Sequence, residues 1–411
     1  MSPANKNVDF NYFIKKSIFI IIILNFCYSA QLKIVCYNLL NFPEAIGYQR
    51  IKYFRKIMDY LKPDLLVVQE MQSNIGMELF RDSVLNYNNP NFSFAPFNDG
   101  PDTDNGLFYN RTKVEFVDVI YIPTDLRDIA RYRIKIKELN KELFIFSVHL
   151  KSGQEYELIR LEEALILRSH LDSLPEDIEY LVMGDCNFYY NEPAYYKLVD
   201  SIEISPRGLR DPLRIPDIWH ENRTYAYAHT QSTRNENLDD SGAAGGLDDR
   251  FDFIFCAPGL LDTAGLFLPV ESYNVFGNDG KHFNKSINSG INYAVPDEIA
   301  TALYFASDHL PVSVIIMDGY NNPIDYKKVA IYPNPAKNQI EVKLPNFDNF
   351  QKFKLTVTNI LGQRVYEIES FNPAGAMVSV DKFNIGIYFI NIRIYTEFRQ
   401  FNYREKLAII K

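Results

Sequence analysis

The sequence predicts an α/β fold followed by a small all-β sandwich, and three observations predict it. Apolar runs rich in Val, Ile and Phe recur from Leu32 to Ile316 and alternate with segments of helical spacing. Those runs end again and again in a carboxylate, an amide or an imidazole, and strand ends are where active sites gather in open α/β sheets. Beyond the polar, turn-forming break Asp318-Gly319-Tyr320-Asn321-Asn322-Pro323, only strand signals continue.

In chain order, residues 1–30 read as a signal peptide. Lys15 and Lys16 precede the apolar run Ser17 to Phe26, which has signal-peptide length and is too short to span a bilayer. Strands follow at Leu32–Tyr37, ending in Asn38, and at Asp64–Gln69, ending in Glu70. Between them Ile51, Phe54, Met58 and Leu61 recur at helical spacing. Leu143–Val148 ends in His149, and Leu161, Ala164, Leu167, Leu171 and Leu174 mark a second amphipathic helix. Glu179–Met183 leads to Asp185 and Asn187. Arg250–Phe255 is an alternating strand whose polar Asp252 points away from its apolar neighbours, and Asp308-His309 precedes Val312–Ile316.

The ordered set Tyr-Asn-Leu-Leu-Asn-Phe (37–42), Gln69-Glu70, Ser-Val-His-Leu-Lys-Ser-Gly (147–153), Gly-Asp-Cys-Asn-Phe (184–188), Arg-Phe-Asp-Phe-Ile-Phe (250–255) and Ser-Asp-His-Leu-Pro-Val (307–312) resembles the endonuclease/exonuclease/phosphatase superfamily. Gly106 to Arg111 looks like its mid-sheet strand, and Asp217-Ile218-Trp219 looks like its Asp-x-Trp segment. The likeness covers about residues 31–317 and implies a four-layered α/β sandwich, two packed mixed sheets flanked by helices. It also implies a metal-dependent phosphoesterase, with a nuclease acting on extracellular DNA or RNA as the expected member. A phospholipid phosphodiesterase or a phosphatase is the alternative within the class, and a noncatalytic surface-binding protein the alternative outside it.

Phosphate ester hydrolysis needs a hard cation, an activated water and donors aimed at the phosphoryl oxygens. Mg²⁺, or Mn²⁺ or Ca²⁺ in its place, takes oxygen ligands, and Glu70 is the first-choice ligand. By resemblance Asn38 and Asp308 join it, while Asp185 with Asn187 positions the attacking water or the phosphorus centre. His309 is the acid-base candidate, because an imidazole titrates near neutrality. The family pattern gives Asp252 the task of fixing its tautomer, and His149 the task of donating to the phosphate or the leaving oxygen. Whether His309 or Asp185 deprotonates water stays open.

Composition agrees with a folded, exported hydrolase. The 411 residues are 47% hydrophobic and 14% aromatic, enough for a large core, and the net charge of −9 argues against a chain that coats nucleic acid electrostatically. Of four cysteines, Cys36, Cys186 and Cys256 follow the signal and lie on or beside core strands, so they read as small buried hydrophobes. His170 reads as solvated, whereas His220, His229 and His282 in loops are candidates for the groove. Arg111, Lys113 and Lys151 flank motif strands and are candidates for phosphate contact or for plain solvation. The run Asp239 to Asp249 lacks the ligand spacing of an EF-hand and reads as a mobile loop.

The linker is expected at 318–328. After it, Val329–Tyr332, Gln339–Val342, Lys354–Thr358 and Ile387–Ile392 are strand signals. Residues 329–411, with Ile331-Tyr332-Pro333-Asn334-Pro335, the turn at Asn359 to Gln363 and Gly386-Ile387-Tyr388, resemble the C-terminal sorting domain of the Bacteroidetes type IX secretion system. That resemblance implies the type IX machinery as a partner and export through the periplasm to the cell surface or beyond. The chain is expected to act as a monomer without a membrane span.

Overall fold

The computed structural model describes residues 31–44, 46–100, 102–175, 178–199, 207–215, 218–261, 265–319, 329–345, 350–396 and 400–410. The signal segment, Asp217 and linker residues 320–328 lie outside them. Strands β1 (Gln31–Phe42), β2 (Leu65–Met71), β3 (Phe92–Phe94) and β4 (Asp104–Asn110) begin a first sheet. The chain crosses to a second sheet of β5 (Val114–Ile122), β6 (Ile129–Ile136), β7 (Lys141–His149), β8 (Tyr180–Asp185) and β9 (Asp252–Cys256), in that spatial order. It then returns with β10 (Leu266–Phe267), β11 (Asn274–Val275) and β12 (Val312–Asp318), giving the first sheet the order β10-β12-β1-β2-β4-β3 with β11 paired to β12.

Both sheets are mixed, and each has one parallel pair: β1 with β2, and β7 with β8. Parallel neighbours need a long crossover. Here α1 (Gly47–Leu61) makes the first and α3 (Glu157–Asp172) the second, the two helices expected from apolar spacing. The shorter α2 (Asn74–Phe80) and α4 (Pro193–Leu198) follow β2 and β8, and α5 (Asp297–Ala306) precedes β12.

Side-chain alternation sorts the layers. Cys36, Val67, Ile145, Met183 and Ile254 belong to one buried cluster joining the two sheets. Out-of-phase neighbours Phe146, Val182 and Phe253 join Leu167 and Leu171 of α3 in a second cluster on the far face. On the opposite side Tyr37 meets Phe54 of α1 edge-on at 5.8 Å. Helices, sheet, sheet and helices make the four layers that were expected.

The C-terminal region is all-β. Strands β13 (Ala330–Tyr332), β14 (Gln339–Lys343) and β17 (Gly375–Ser379) form a three-stranded sheet. Strands β15 (Phe350–Asn359), β16 (Arg364–Ser370), β18 (Gly386–Thr396) and β19 (Gln400–Ile409) form a four-stranded one in the order β16-β15-β18-β19. Ile340, Val342, Leu355, Val357, Val378 and Ile390 lie in their common core. The last strand of the α/β part runs farther than the sequence pattern indicated: Asp318 pairs with Leu266, and the Gly319 N–H donates to Gly265 O at 2.8 Å. No helix among the described residues is long and apolar enough to cross a membrane.

Candidate active site

The two βαβ crossovers bring four polar side chains to one edge. Asn38 stands near the end of β1 and Glu70 near the end of β2, while His149 and Asp185 close the parallel pair β7 and β8, where they are register partners. Asp252 opens the antiparallel strand β9 and is the register partner of Asp185, so it arrives at the same edge from the opposite direction. Asp308 and His309 precede β12 in the same way. A Cβ on Gly184 would sit 1.8 Å from the Val148 carbonyl oxygen, so a glycine is what lets β7 and β8 close just before His149 and Asp185.

Period two explains which of these side chains face inward. Asn38 is in phase with Cys36, His149 with Ile145, and Asp185 with Met183, so all three point between the sheets. Glu70 follows Gln69, whose Nε2 donates inward to Ser147 Oγ at 3.0 Å, and regular alternation would turn Glu70 out. Its φ of 58°, at a register break in β2, swings it back to the site. That left-handed value in a non-glycine residue is strain of the kind found at functional positions.

Asp185 Oδ2 is the centre of the arrangement. Asn38 Nδ2 donates to it at 3.0 Å, and His149 Nε2 and His309 Nε2 both lie 3.6 Å away. Asn38 Nδ2 also donates to Glu70 Oε1 at 2.9 Å, and the Asn41 N–H donates to Glu70 Oε2 at 2.9 Å. His309 Nδ1 and Asp252 Oδ2 are 2.7 Å apart, the pairing expected for a histidine oriented by a carboxylate. Ser307 Oγ donates to Asn38 O at 2.7 Å and accepts from the His309 N–H, which pins this turn to β1. Asn187, with a φ of 52°, gives its Nδ2 to Leu150 O at 3.1 Å and its N–H to Asp185 Oδ1 at 3.1 Å, so it braces the loop after His149.

Burial decides the electrostatics. Burial first, then the charges of Asp252 and Glu70, push Asp185 up to about 7, against the pull of His309 and the Asn38 hydrogen bond. Burial and Asp308 raise Glu70 as well. His149 is held well below the ordinary imidazole value by burial and then by Arg127, so it stands neutral. Burial also opposes charge on His309, but Asp252, Asp185 and Asp308 outweigh it and hold that imidazole high.

A cation fits this site. Oxygen or nitrogen atoms of Glu70, His149 and Asp185 all lie within 4.8 Å of one another. Asp308 Oδ1 is buried without a hydrogen-bond partner, a costly state for a carboxylate oxygen unless a cation or donor meets it. Glu70 keeps 17% side-chain exposure against 3% for Asp185, so it is the carboxylate that an ion reaches first. Asn38 is placed otherwise than a ligand would be: its Oδ1 accepts from the Leu40 N–H at 2.9 Å and its amide hydrogens face the carboxylates.

Two residues that sequence reasoning missed border the site. Gln231 Nε2 lies 2.7 Å from His309 Nε2 and 3.2 Å from Asp308 Oδ2. Arg127 pairs with Asp102 through Nη2 at 2.8 Å, yet its Nε and Nη1 are buried without partners. Gln231 sits on a one-residue bridge and Arg127 in a bend, neither with periodic signal; an Arg just before the inward-facing strand β6 was the available hint. Of the cations singled out earlier, Lys113 pairs with Asp64 and Arg111 donates to Pro90 O and Asn91 O. Lys151 lies 4.4 Å from the Tyr156 ring centre and is among the charges that depress His149. His170 is exposed as expected. His229 and His282 are buried rather than groove-lining: His229 Nε2 meets Trp219 O and His282 Nδ1 meets Asp279, because each closes its own loop. His220 is half-buried against Asp249. Cys36, Cys186 and Cys256 are free and buried, and burial raises all three thiols, as befits core residues.

A mixed-sheet α/β sandwich with acidic and imidazole groups meeting at one strand edge defines a hydrolase of the phosphoesterase type. Residues 35–309 match the Endonuclease/Exonuclease/phosphatase family, and the chain belongs to that family, whose members are hydrolytic and divalent-metal dependent. Residues 330–402 match the Secretion system C-terminal sorting domain, a type IX sorting tail that implies export to the cell surface or the exterior. Among solved structures, the chain is similar to D. rerio TDP2 complexed with single strand DNA product, at 14% identity and a TM-score of 0.49, covering 70% of this chain and 99% of that one. It is similar to a Bacteroides thetaiotaomicron mannosyl-6-phosphatase at 16% identity and a TM-score of 0.45, covering 70% and 99%. The human Nocturnin catalytic domain with bound sulfate matches at 16% and 0.44, covering 70% and 93%. No curated protein matches the sequence.

Proposed function

We propose that this chain is an exported, divalent-metal-dependent phosphodiesterase, a nuclease acting on DNA or RNA outside the cell. The observation that carries the reading is the meeting of Glu70, Asp185, His149 and His309 around one buried carboxylate oxygen, with the Asp308 Oδ1 orphaned beside them. A bound Mg²⁺ or Mn²⁺, with Ca²⁺ as a weaker substitute, supplies charge neutralisation at the phosphoryl oxygens. Glu70 and Asp308 would hold it, and Asn38 fixes the spacing of Glu70 and Asp185 by donating to both. Asp185 and Asn187 position the attacking water. His309 moves the proton, with Asp252 fixing its Nδ1–H tautomer. Neutral His149 donates to the phosphate or to the leaving oxygen.

Support for a polymeric phosphodiester comes from the rim. Arg127 has two unspent donors near His149, and Lys151 stands there with Tyr156, a half-exposed ring on which a base can stack. A net charge of −9 leaves these local cations, rather than the whole surface, to meet the backbone. The test is turnover of the mature protein on single- and double-stranded DNA, RNA, sphingomyelin and phosphomonoesters, with Mg²⁺ and with chelator, alongside Glu70→Gln. Nucleic acid cleavage that requires the ion and nearly vanishes in Glu70→Gln is the expected result. A preference for a monoester or a lipid overturns the nuclease reading, and undiminished turnover in excess chelator overturns the metal mechanism.

A further inference from the structure

Arg50 lies outside every motif, in the first turn of α1, and is only 1% exposed. Among the described residues no carboxylate accepts from it; its guanidinium donates to main-chain carbonyls instead. Nη1 reaches Leu39 O at 2.9 Å and Ala306 O at 2.7 Å, and Nη2 reaches Leu40 O at 2.5 Å and Glu44 O at 3.3 Å. Leu39 and Leu40 belong to the last residues of β1, whereas Ala306 ends α5 and immediately precedes Ser307-Asp308-His309. One buried fork thus ties together two segments that both border the candidate ion site.

The two carbonyls on β1 are one side of a relay. A trans peptide is planar, with its C=O and N–H on opposite edges, so fixing one fixes the other. On the Leu39–Leu40 peptide, Arg50 holds the oxygen and the N–H donates to Asn38 Oδ1 at 2.9 Å. On the Leu40–Asn41 peptide, Arg50 again holds the oxygen and the N–H donates to Glu70 Oε2 at 2.9 Å. Neither peptide rests in a relaxed backbone: Leu40 and Asn41 both have a φ of 49°, at the register break between β1 and β2. Left-handed values are strained in non-glycine residues, more so in leucine than in asparagine, and persist only where the surroundings impose them. Arg50 is the group placed to impose them.

We propose that Arg50 is a positioning residue for the divalent cation: through the two peptides it sets Asn38 and Glu70, and through Ala306 O it sets the turn that carries Asp308. The inference rests on the reading that Glu70 and Asp308 take an ion, and adds the residue that keeps them poised for it. An ion that binds only the poised form has its affinity scaled by the fraction of molecules in that form. With Arg50 in place the strained turn is held, and that fraction is close to one. Without the fork the turn relaxes, the Asn41 N–H leaves Glu70, and the fraction falls. A glycine at position 41 adopts the left-handed conformation without strain, so it restores part of what the guanidinium supplied.

The experiment uses the full chain and Mn²⁺ alone, with the unbound ion counted by its paramagnetic resonance signal. Arg50→Lys has a single ammonium that cannot serve both segments, and Arg50→Gln has no charge. Each binds Mn²⁺ about 10- to 100-fold more weakly than the unmodified chain, the loss typical when a partner behind a metal ligand is removed. Adding Asn41→Gly to either variant strengthens Mn²⁺ binding about three- to tenfold, while the same glycine adds far less where Arg50 is present. Unchanged Mn²⁺ affinity in whichever Arg50 variant folds would make the residue a plain brace of the core and overturn the proposal. An equal gain from Asn41→Gly in both backgrounds would disconnect the turn from Arg50 and overturn it too, as would failure of both Arg50 variants to fold. A protein whose Mn²⁺ binding depends on Arg50 in this way, yet which hydrolyses no phosphoester, would sink the functional reading and leave the positioning role standing.

Discussion

Asn38 Nδ2 and Asp185 Oδ2 meet at 3.0 Å across the interior, one from the first sheet and one from the second. The same nitrogen holds Glu70 at 2.9 Å, so one amide spaces two carboxylates that would otherwise repel each other. Asn38→Ala leaves both short of a donor in a buried place, at a cost of about 1–3 kcal/mol in stability. Activity should fall by ~10²-fold, because misplacement of reacting groups by about an ångström costs that much. Asn38→Asp should be worse on both counts, since it adds a third buried negative charge. Parallel measurement of kcat and of the melting temperature checks this; an Asn38→Asp enzyme as active as the parent would sink it.

The pair His309 and Asp252 should behave as one unit. His309→Ala removes the proton carrier and should cost several orders of magnitude. Asp252→Asn keeps the shape but loses the carboxylate at 2.7 Å that fixes the tautomer, and should cost at least ~10²-fold. The double variant should then be little worse than His309→Ala alone. Strictly additive losses in kcat/KM would assign Asp252 some other task.

Stability without metal should fall as pH rises. Asp185 is raised to about 7 from the usual carboxylate value of 3.8, so between those values the folded protein holds a proton that the unfolded chain has released. Folded stability is therefore greatest below about 4 on this account and drains away as pH climbs through 7, by up to about 1.4 kcal/mol per pH unit. A divalent cation offsets the carboxylate charge, so Mg²⁺ should raise the melting temperature more at pH 8 than at pH 5. Equal shifts at the two pH values would argue that the ion binds away from Asp185.

How much of this was legible in the sequence depends on periodicity. Asn38, His149, Asp185 and Asp252 lie in phase with apolar strand residues, so alternation alone orients them. Glu70 is out of phase with Gln69, and only its left-handed φ returns it to the site, which no propensity reveals. Gln231, on an isolated bridge, and Arg127, in a bend, sit where spacing carries no information. The helix α5 escaped notice because the apolar run Ile299 to Ala306 lacks a polar face. In the tail, β16 escaped because Arg364 to Ser370 is charged and mostly exposed at a sheet edge, where packing asks little of the side chains.

Catalysis and sorting should be separable between the two parts of the chain. Every polar residue of the candidate site lies before residue 310, and the buried cluster of the C-terminal strands shares no residue with the two clusters of the α/β part. The cut belongs after Gly319 rather than at 317, because Asp318 pairs with Leu266 and the Gly319 N–H is bonded to Gly265 O. A protein of residues 31–319 should fold and hydrolyse substrate at close to the full-length rate, as expected when a polar connector joins independently folding units. In the native host the same truncation should accumulate in the periplasm, since the tail is the sorting signal. An insoluble or inactive truncated protein would mean that the sandwich completes the α/β core. Normal appearance of the truncated enzyme outside the cell would mean that export proceeds without residues 329–411.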